Sequence, residues 1–465
     1  MNSNKHILFI ANYFPPIGGP GSFRPYFFVK HLVKKYGRID VITADSDPVY
    51  KFDHSLSPVS ADNLHIHRLD HRSWERLSWI FAKLRLLSIL RFVFFPFLWE
   101  RQAIWGRRVE KYLKKHFSGK NKPDAIYATS GPFSAVMAAY RYAREQNLPF
   151  IADFRDPFSL SPSRGFVSLF HYRFFEKWEQ KVMSYAHKIV VVSPTMKTDY
   201  LEKYPFLSPE KIEVIYNGFD MEVEEVFDAW AESKIPESAD REIQIVYTGS
   251  LCDWDGDLSY KKPKWYSVPY SLNHYNMKLR SPYYIIEALA QLKQEIDLEG
   301  KIAFHFYGAG NMPVSKQLIA RHGLESIVVL HGRIPYAEAK QKVEEADFLF
   351  LPMEEKREEP GSCFVTGKVF EYIRSGVNLF ILGSPENDVA RLLDDIGYPV
   401  IRAPHDPKQI ADTLKKMLNG DVERAFPSKK VDREKLKICT RQYQTEQLSN
   451  LINLCFPEPN NILKV

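Results

Sequence analysis

The stretch PGSCFVTGKVFEYIRSG, residues 360–376, comes close to a phosphate-binding P-loop. A P-loop has a glycine, four residues and then Gly-Lys-Ser/Thr, because its backbone N–H groups surround the phosphates and its hydroxyl binds magnesium. Here five residues separate Gly361 from Gly367, and Val369 replaces the hydroxyl. The stretch therefore does not fit an ATPase loop. It predicts a helix that begins near Gly367 and carries Lys368, and a helix N-terminus is itself an anion site.

The loop NYFPPIGGPGSFRP contains Gly18, Gly19 and Gly21 directly after the first apolar run. The dinucleotide fingerprint G-x-G-x-x-G is incomplete here, so the loop is poor evidence for NAD binding. Glycines at this place still allow a ligand to approach the backbone, and we expect Gly18 and Gly19 to contact it. The alternative is a tight strand-to-helix turn.

The segment ADFRDP carries Asp153, Arg155 and Asp156 at the end of another apolar run. Charged residues that directly follow a buried strand are rarely structural filler, so we expect these three to form the catalytic group and contact the substrate. The alternative is an ion pair between Arg155 and Asp156 that closes the turn.

Other charged residues give weaker indications. The acidic stretch DWDGD, residues 253–257, lacks the further oxygens and the distal glutamate of an EF-hand, which favours a solvated loop over a metal site. His305 alternates with phenylalanines and is expected in the core, whereas His331 ends a strand-like run and is expected at the ligand site. We therefore expect no metal and no cofactor.

Composition limits the classes of protein that fit. A chain of 465 residues with 45% apolar content is long enough for two cores. The net charge of +6 is small for this length and does not demand a nucleic-acid partner. The four cysteines form no CxxC pair, so neither a disulfide framework nor a zinc site is predicted. The N-terminus lacks the pattern of a signal peptide, and a cytoplasmic location is expected.

Residues 77–117 are rich in Trp, Phe, Leu, Arg and Lys. Lys83, Arg85 and Arg91 interrupt the apolar part, so a membrane span is not predicted. The pattern suits an amphipathic helix on the inner face of the cytoplasmic membrane, which would make the protein peripheral. A helix packed on its own domain with a solvated basic face is the alternative.

Strand-like and helix-like runs alternate along both halves of the chain, which predicts parallel sheets joined by right-handed crossovers. The predicted fold class is α/β, with two Rossmann-like, doubly wound domains that face a central cleft. We place the N-terminal domain at residues 1–220, the second at 221–425, and a helical segment at 426–465 that packs back on the first. Residues 252–279 read as an inserted loop.

Together, several segments resemble the GT-B glycosyltransferases, specifically the family 4 type of bacterial surface-polysaccharide pathways. The resemblance covers essentially the whole chain, and its motifs occur in the expected order: YFPPIGGPGSFRP, DAIYATSGPFSAV, PFIADFRDPF, KIEVIYNGFD, IVYTGSL, YGAG, VVLHGRIPYAEA, ADFLFLP and GKVFEYIRSG.

The resemblance implies a nucleotide-sugar donor on the C-terminal domain and an acceptor on the N-terminal domain. In the family a carboxylate on the last-named helix binds the ribose, and Glu371 matches it. The diphosphate would lie at Thr366 and Gly367, with Lys368 and a basic residue before the domain's first helix beside it. Arg280 matches that basic residue best, with Lys261 and Lys262 as rivals. The other donor-binding residues implied are Gly249, Ser250, Gly308, His331, Gly332 and Arg333.

The sequence departs from the family at one position. Members typically carry two glutamates eight positions apart, the first of which contacts the transferred sugar. Glu371 matches the second glutamate, and this chain has Cys363 at the position of the first. Either the sugar is held by Glu354, Glu358 or Glu359, or catalysis is compromised, or the chain belongs to a subgroup with one carboxylate. The resemblance implies a retaining, metal-independent hexosyltransferase that acts on a lipid-linked or oligosaccharide acceptor in capsule or O-antigen synthesis. A non-catalytic sugar-nucleotide-binding scaffold and a sugar-nucleotide epimerase are the alternatives.

Overall fold

The computed structural model of the chain describes residues 2–47, 52–53, 56, 59–71, 83, 100–161, 165–166, 168–232, 241–254, 270, 276–353, 365–422 and 427–456. These residues form two compact units. The first contains the described residues up to Asn217, Tyr270 and residues 441–456. The second contains the described residues from Gly218 to Thr440, apart from Tyr270. The sequence places this boundary near Asp220.

The first unit is built on a seven-stranded parallel sheet in the order β3-β2-β1-β4-β5-β6-β7. Its elements in chain order are β1 (Asn2–Ile10), α1 (Pro20–Leu32), β2 (Tyr36–Ala44), β3 (Leu64–Leu69), α2 (Ala103–His116), β4 (Ala125–Thr129), α3 (Phe133–Gln146), β5 (Phe150–Phe154), α4 (Leu169–Tyr185), β6 (Lys188–Val191), α5 (Pro194–Lys203) and β7 (Ile212–Val214).

The second unit has a six-stranded parallel sheet in the order β10-β9-β8-β11-β12-β13. Its elements are α6 (Val223–Glu232), β8 (Ile243–Thr248), α7 (Tyr283–Leu292), β9 (Ile302–Tyr307), α8 (Pro313–His322), β10 (Val328–Leu330), α9 (Tyr336–Glu344), β11 (Phe348–Pro352), α10 (Gly367–Ser375), β12 (Asn378–Leu382), α11 (Asp388–Ile396), β13 (Val400–Ala403), α12 (Pro407–Leu418), α13 (Pro427–Lys430) and α14 (Arg433–Leu436). The last helix, α15 (Arg441–Asn453), packs against α1 in the first unit.

Central strands such as β4 and β5 are buried on both faces, as strands of a parallel sheet are when helices cover each side. In β1, Leu8 and Ile10 belong to one hydrophobic cluster, whereas Ile7 and Phe9 belong to another. This alternation is the period of two of a strand, so one sheet separates two cores. The predicted two parallel α/β domains in series are confirmed.

In each sheet the order in which successive strands are added reverses at one point. This switch point lies between β1 and β4 in the first unit and between β8 and β11 in the second. In doubly wound sheets ligands bind beyond the carboxyl ends of the strands at such a switch point. The loops that follow these four strands, and the helices after them, are therefore the places to look for a site in each unit.

The basic segment at residues 77–117 is described at Lys83 and from Glu100 onwards. There α2 packs on α3 and buries Trp105, Val109 and Leu113. Lys111 and Lys115 lie on its exposed face. For residues 103–116 the structure thus shows a helix packed on its own domain with a solvated basic face. None of the helices in the described ranges has the length and apolarity to cross a membrane.

A buried ion pair joins α1 to the end of β5. Arg24 donates from Nε and Nη2 to the two oxygens of Asp153 at 3.0 and 2.9 Å. Tyr127 of β4 donates to the same carboxylate at 2.6 Å, and Arg24 Nη1 donates to the carbonyl of Tyr216 at 2.8 Å. Burial alone would lower the pKa of Arg24, but the Asp153 carboxylate and Tyr127 raise it above its ordinary value. The guanidinium of Arg24 therefore stays charged, and its hydrogen bonds with those of Tyr127 connect three elements of the first unit.

We expect Asp153→Ala to lower the free energy of unfolding of the first unit by about 3–5 kcal/mol, because it leaves the buried Arg24 charge without a partner. The double variant Arg24→Met/Asp153→Leu should be less destabilised, since it removes both charges. The measurement is urea denaturation followed by circular dichroism. Glu295→Ala, which breaks an exposed ion pair with Lys415, serves as the control and should leave the transition nearly unchanged. A single variant as stable as the parent would contradict the assignment.

Candidate functional site

In the second unit the loops after β8, β9 and β10 are tied together at the sheet edge. The Gly249 N–H donates to the carbonyl of Tyr307 at 2.7 Å, and the Gly308 N–H donates to the carbonyl of Gly332 at 2.9 Å. Gly308 has φ +85°, and a Cβ there would lie 3.1 Å from the Gly249 oxygen. The predicted donor residues of these loops are therefore neighbours, and small residues are required where the loops touch.

The absence of a side chain at Gly249 leaves space for the side chain of Lys368. The φ of Gly249 is +126°, a conformation that residues with a Cβ rarely adopt, and a Cβ there would overlap Lys368 Cε. Lys368 Nζ lies 5.3 Å from the centre of the Tyr247 ring. The loop after β8 and the helix after β11 thus meet at the switch point, with the ammonium of Lys368 between them.

Two cations share this place. Burial, and after it the charge of the nearby Arg280, lower the pKa of Lys368 to about 8. Arg280 also lies close enough to Tyr247 to oppose the rise that burial causes in the pKa of that phenol. An anion between Lys368 and Arg280 would offset the repulsion and the loss of hydration, so the electrostatics favour a negatively charged ligand.

The N-terminus of α10 is the second part of this anion site. Thr366 is the N-cap residue, but its side chain makes no capping hydrogen bond, and its buried Oγ1 has no partner among the described residues. Gly367 is exposed, and no atom lies within 4 Å of where its Cβ would be. Free N–H groups at a helix start carry partial positive charge, which complements the two cations.

A neighbouring helix shows the contrast. At the N-terminus of α8, Asp253 accepts from the N–H groups of Val314 and Ser315 at 2.9 and 2.8 Å. The Ser315 hydroxyl also donates to it at 2.7 Å. Asp253, predicted to be in a solvated loop, is therefore the anion that caps α8. Of these two helix starts in the second unit, α10 is the one that no described carboxylate caps.

Glu371 and Tyr372 follow on α10. Glu371 accepts from Arg374 Nε at 3.1 Å, and about a third of its side chain (36%) is exposed. The buried Tyr372 hydroxyl accepts from the N–H of Thr248 at 2.9 Å and so holds α10 against the end of β8. Glu371 is thus on a helix whose position is fixed, with part of its carboxylate accessible.

The remaining predicted donor residues are placed as follows. His331 stacks on Tyr307, with ring centroids 4.2 Å apart, and its Nε2 lies 3.0 Å from His305 Nδ1. Burial lowers the pKa of both histidines. His305, expected in the core, is half-buried. Arg333 and Ser250 are exposed. Gly18 and Gly19 lie in the first unit, where Gly19 is the N-cap of α1 with φ +91°.

In the first unit the three predicted catalytic residues have different surroundings. Asp153 is fully buried, and both its oxygens are taken up by Arg24 and Tyr127. Asp156 is 72% exposed, and its carboxylate lies 3.9 Å from Arg155 Nε, the turn-closing pair considered from the sequence. This geometry supports a positioning role for Asp153. Its direct role in catalysis stays a prediction.

Arg155 lies between three loops. Its Nη2 donates to the carbonyl of Gly131 at 2.8 Å, and its guanidinium lies 5.8 Å from the centre of the Tyr13 ring. A Cβ at Gly21 would come within 2.9 Å of Nη1, and one at Gly131 would overlap Nη2. The glycines of the first loop thus make room for Arg155 at the carboxyl ends of β1, β4 and β5.

Sequence reasoning missed a group of polar residues at this edge. The side-chain polar atoms of Asn12, Thr129, Ser130 and Ser134 are buried and have no partner among the described residues. Asn12 follows β1, Thr129 ends β4, and Ser130 comes directly after it. Buried polar groups normally have partners, so a polar ligand or water is expected here. The sequence signal that could have identified Asn12, Thr129 and Ser130 is their position directly at the ends of β1 and β4, the two strands at the switch point.

In the first unit, a carboxylate of the chain itself caps the N-terminus of α3. Glu100 accepts from the N–H groups of Phe133 and Ser134 at 3.1 and 2.9 Å. As with Asp253, a carboxylate from a distant segment fills a helix N-terminus.

Several predictions concern residues that lie outside the described ranges. They are the other two aspartates of the acidic stretch, the rival basic residues, and the residues considered for sugar binding. These residues are Asp255 and Asp257, then Lys261 and Lys262, and finally Glu354, Glu358, Glu359 and Cys363. Most of the inserted loop at 252–279 lies there too. In the part of the chain that is described, no cluster of three metal-ligating side chains occurs, and Cys252, Cys439 and Cys455 are free thiols.

The chain is similar to known proteins in part of its sequence and in its fold. Residues 26–223 match the model of Glycosyltransferase Family 4. No curated protein matches the sequence significantly. Among solved structures, Anabaena Alr3699/HepE in complex with UDP and glucose has a TM-score of 0.59 at 15% identity, covering 97% of this chain and 100% of that one.

Two further structures have the same fold. Sucrose-phosphate synthase from Thermosynechococcus elongatus has a TM-score of 0.56 at 12% identity, covering 97% of this chain and 98% of that one. The lipopolysaccharide outer core galactosyltransferase WaaB has a TM-score of 0.56 at 15% identity, covering 97% and 100%. These similarities confirm the GT-B fold. The chain thus has the fold of the GT-B glycosyltransferases, and its residues 26–223 are similar to Glycosyltransferase Family 4.

Proposed function

We propose that this protein transfers a hexose from a uridine diphosphate sugar to a lipid-linked or oligosaccharide acceptor in cell-surface polysaccharide synthesis. The observation that carries the proposal is the open N-terminus of α10 beside two cations, Lys368 and Arg280. The similar structure of HepE holds UDP and glucose, and WaaB is a lipopolysaccharide galactosyltransferase. These names support the choice of uridine and of a surface saccharide.

The donor fits the second unit as follows. Its diphosphate lies on the N–H groups at Gly367, with the Thr366 hydroxyl and Lys368 beside it and Arg280 on the other side. Glu371 accepts hydrogen bonds from the ribose hydroxyls. Gly249 and Gly308 allow the diphosphate close to the backbone, and the segment of His331, Gly332 and Arg333 contacts the base, with Ser250 at the rim. Gly18 and Gly19 remain predicted donor contacts from the first unit.

The reaction breaks the bond between the sugar's anomeric carbon and the diphosphate oxygen. A bond from that carbon to an acceptor hydroxyl forms on the same face, and the hydroxyl proton passes to the leaving diphosphate. Negative charge grows on the diphosphate in the transition state, and fixed donors aimed at it are worth several kcal/mol. Lys368, Arg280 and the helix N-terminus supply such donors, which supports a metal-independent mechanism.

The acceptor is assigned to the first unit. Arg155 and the unpartnered polar atoms of Asn12, Thr129 and Ser130 lie at the carboxyl edge of the sheet, where hydroxyl groups of a saccharide would find partners. Asp153 holds the end of β5 from which Arg155 projects. Asp156 is accessible enough to contact the acceptor. A lipid-linked acceptor requires the enzyme at the cytoplasmic face of the inner membrane, where we place it.

A catalytically inactive scaffold remains the second candidate, because Cys363 occupies the position where a sugar-binding glutamate is typical. The two differ in one measurement. The transferase releases UDP from a UDP-sugar only when an acceptor is present, whereas a scaffold binds without turnover. An epimerase would convert the sugar without any acceptor.

The first prediction concerns Glu371. UDP at about 100 times its dissociation constant should stabilise the protein by roughly 2.7 kcal/mol, seen as a higher Tm. Glu371→Ala should weaken UDP binding roughly tenfold to a hundredfold, because a charged hydrogen bond contributes about 1.5–3 kcal/mol. Glu325→Ala removes an exposed carboxylate from the opposite edge of the same sheet and should behave as the parent. Equal UDP affinity in both variants would refute the ribose contact.

A second prediction tests the close approach at Gly249. Gly249→Ala should weaken UDP binding at least about tenfold, because the new Cβ strains the backbone and displaces Lys368. Gly310→Ala is the matched control, since no atom lies within 4 Å of that position. Isothermal titration calorimetry measures both. A Gly249→Ala protein that binds UDP normally would show that Lys368 does not depend on this glycine.

A third prediction follows from the pKa of Lys368, which is about 8 without ligand. A bound diphosphate raises this pKa, because it stabilises the protonated lysine. The UDP affinity should therefore be highest below pH 8 and should fall by up to about tenfold per pH unit above pH 8, where the free protein loses this proton. In Lys368→Met the affinity should be lower at pH 7 and flat with pH. Arg280→Gln should move the start of the decline to higher pH, because Arg280 lowers this pKa. A parent protein with constant affinity to pH 9.5 would exclude Lys368 from the site.

A further inference from the structure

The outer face of α4 carries a regular pattern of aromatic and basic side chains. We define this α4 surface by Phe170, Arg173, Phe174, Lys177, Trp178 and Lys181. The aromatic residues recur every four positions and so form one row along the helix, and the basic residues form a second row beside it. None of these residues belongs to the candidate donor or acceptor site.

The aromatic row is unusually exposed at one end. Phe170 is 67% exposed, and Phe174 and Trp178 are half-buried against the core. The ring centroids of Phe174 and Trp178 are 6.4 Å apart. The opposite face of α4 buries Tyr172 and Phe175, so the helix is anchored without Phe170. An exposed phenylalanine in line with two further aromatic rings marks an interaction surface.

The basic row surrounds the aromatic row. Lys181 Nζ lies 4.4 Å from the centre of the Trp178 ring, and the guanidinium carbon of Arg141, on α3, lies 4.9 Å from it. Lys177 is exposed, and neither Lys177 nor Lys181 makes an ion pair with a described residue. Arg173 pairs with Glu176 at 2.6 Å, and Arg141 pairs with Glu110 at 3.1 Å. Among the described residues, Lys177 and Lys181 thus carry positive charge beside the aromatic rings that no carboxylate pairs with.

We propose that the α4 surface binds the surface of an anionic lipid bilayer. Aromatic rings suit the boundary between head groups and acyl chains, and lysines around them suit the negative charge of the head groups. Phe170 would enter the boundary, Trp178 would lie at the level of the head groups, and Lys177 and Lys181 would contact the phosphates. This inference deepens the membrane location in the proposed function but requires neither UDP binding nor catalysis.

The position of α4 gives the contact a purpose. The helix follows β5, so its first turn, with Phe170, lies towards the sheet edge at which β5 ends. Arg155 lies at that edge, beside Gly131. A bilayer that contacts Phe170 is therefore on the side of the first unit where the acceptor is expected, and a lipid-linked acceptor can reach the site from it.

The test is co-sedimentation of the full chain with phosphatidylcholine vesicles, with and without about one third phosphatidylglycerol. The parent protein should bind the anionic vesicles and lose most of this binding at high salt. Lys177→Glu/Lys181→Glu should reduce the partition coefficient at least about tenfold, since each lysine contributes measurably near such a surface. Phe170→Ala should reduce it severalfold.

Two matched variants make the test specific. Lys408→Glu/Lys416→Glu reverses two exposed lysines on α12 and should bind vesicles as the parent does. Lys111→Glu/Lys115→Glu reverses two exposed lysines on α2, the other basic helix of the first unit, and should also bind vesicles as the parent does. The inference is overturned if the parent ignores anionic vesicles, or if the α4 variants bind normally whatever the α2 variant does. UDP-dependent stabilisation, measured on each variant, separates this result from the proposed function: vesicle binding without UDP binding would refute the latter alone.

Discussion

The ion pair between Arg24 and Asp153 is the constraint on which the first unit depends. It joins the first helix, the end of β5 and, through Tyr127, the neighbouring β4. Such a pair has a high desolvation cost, which its bidentate geometry and its two further hydrogen bonds offset. Because Asp153 is held in this way, the next residues along the chain, including Arg155, leave the sheet at a fixed place. A buried charged pair thus positions residues that are accessible to a ligand.

The second unit differs, because it brings two positive charges together at the end of its sheet. Lys368 and Arg280 lie close together and repel, and burial opposes the charge on Lys368. The structure tolerates this because Gly249 leaves space for the lysine and Tyr372 fixes α10 against β8. An arrangement that is unfavourable without a ligand and favourable with an anion is what a diphosphate site needs. The glycines therefore matter as much as the cations.

Much of the fold follows from the sequence, since apolar runs such as the all-buried β4 and β5 have one stable arrangement in a parallel sheet. Individual roles follow less well. Asp153 was expected to contact substrate, but a charge at a strand end gives no sign of whether a partner such as Arg24, 129 positions away, will bury it. Asn12 and Ser130 were missed because ordinary polar residues show no pattern until the topology brings β1 and β4 together.

Helix starts show why spacing alone could not choose the anion site. Each helix N-terminus attracts negative charge, so motifs of small residues before a helix occur at several places in this chain. The structure distinguishes them by what already occupies them. Glu100 fills α3 and Asp253 fills α8, each from a segment remote in sequence. At α10 the N-cap hydroxyl of Thr366 has no partner in the described chain, and Lys368, which is close to Arg280, follows two residues later. Among the described residues no carboxylate caps α10, and the negative charge of a nucleotide diphosphate would complement this helix start.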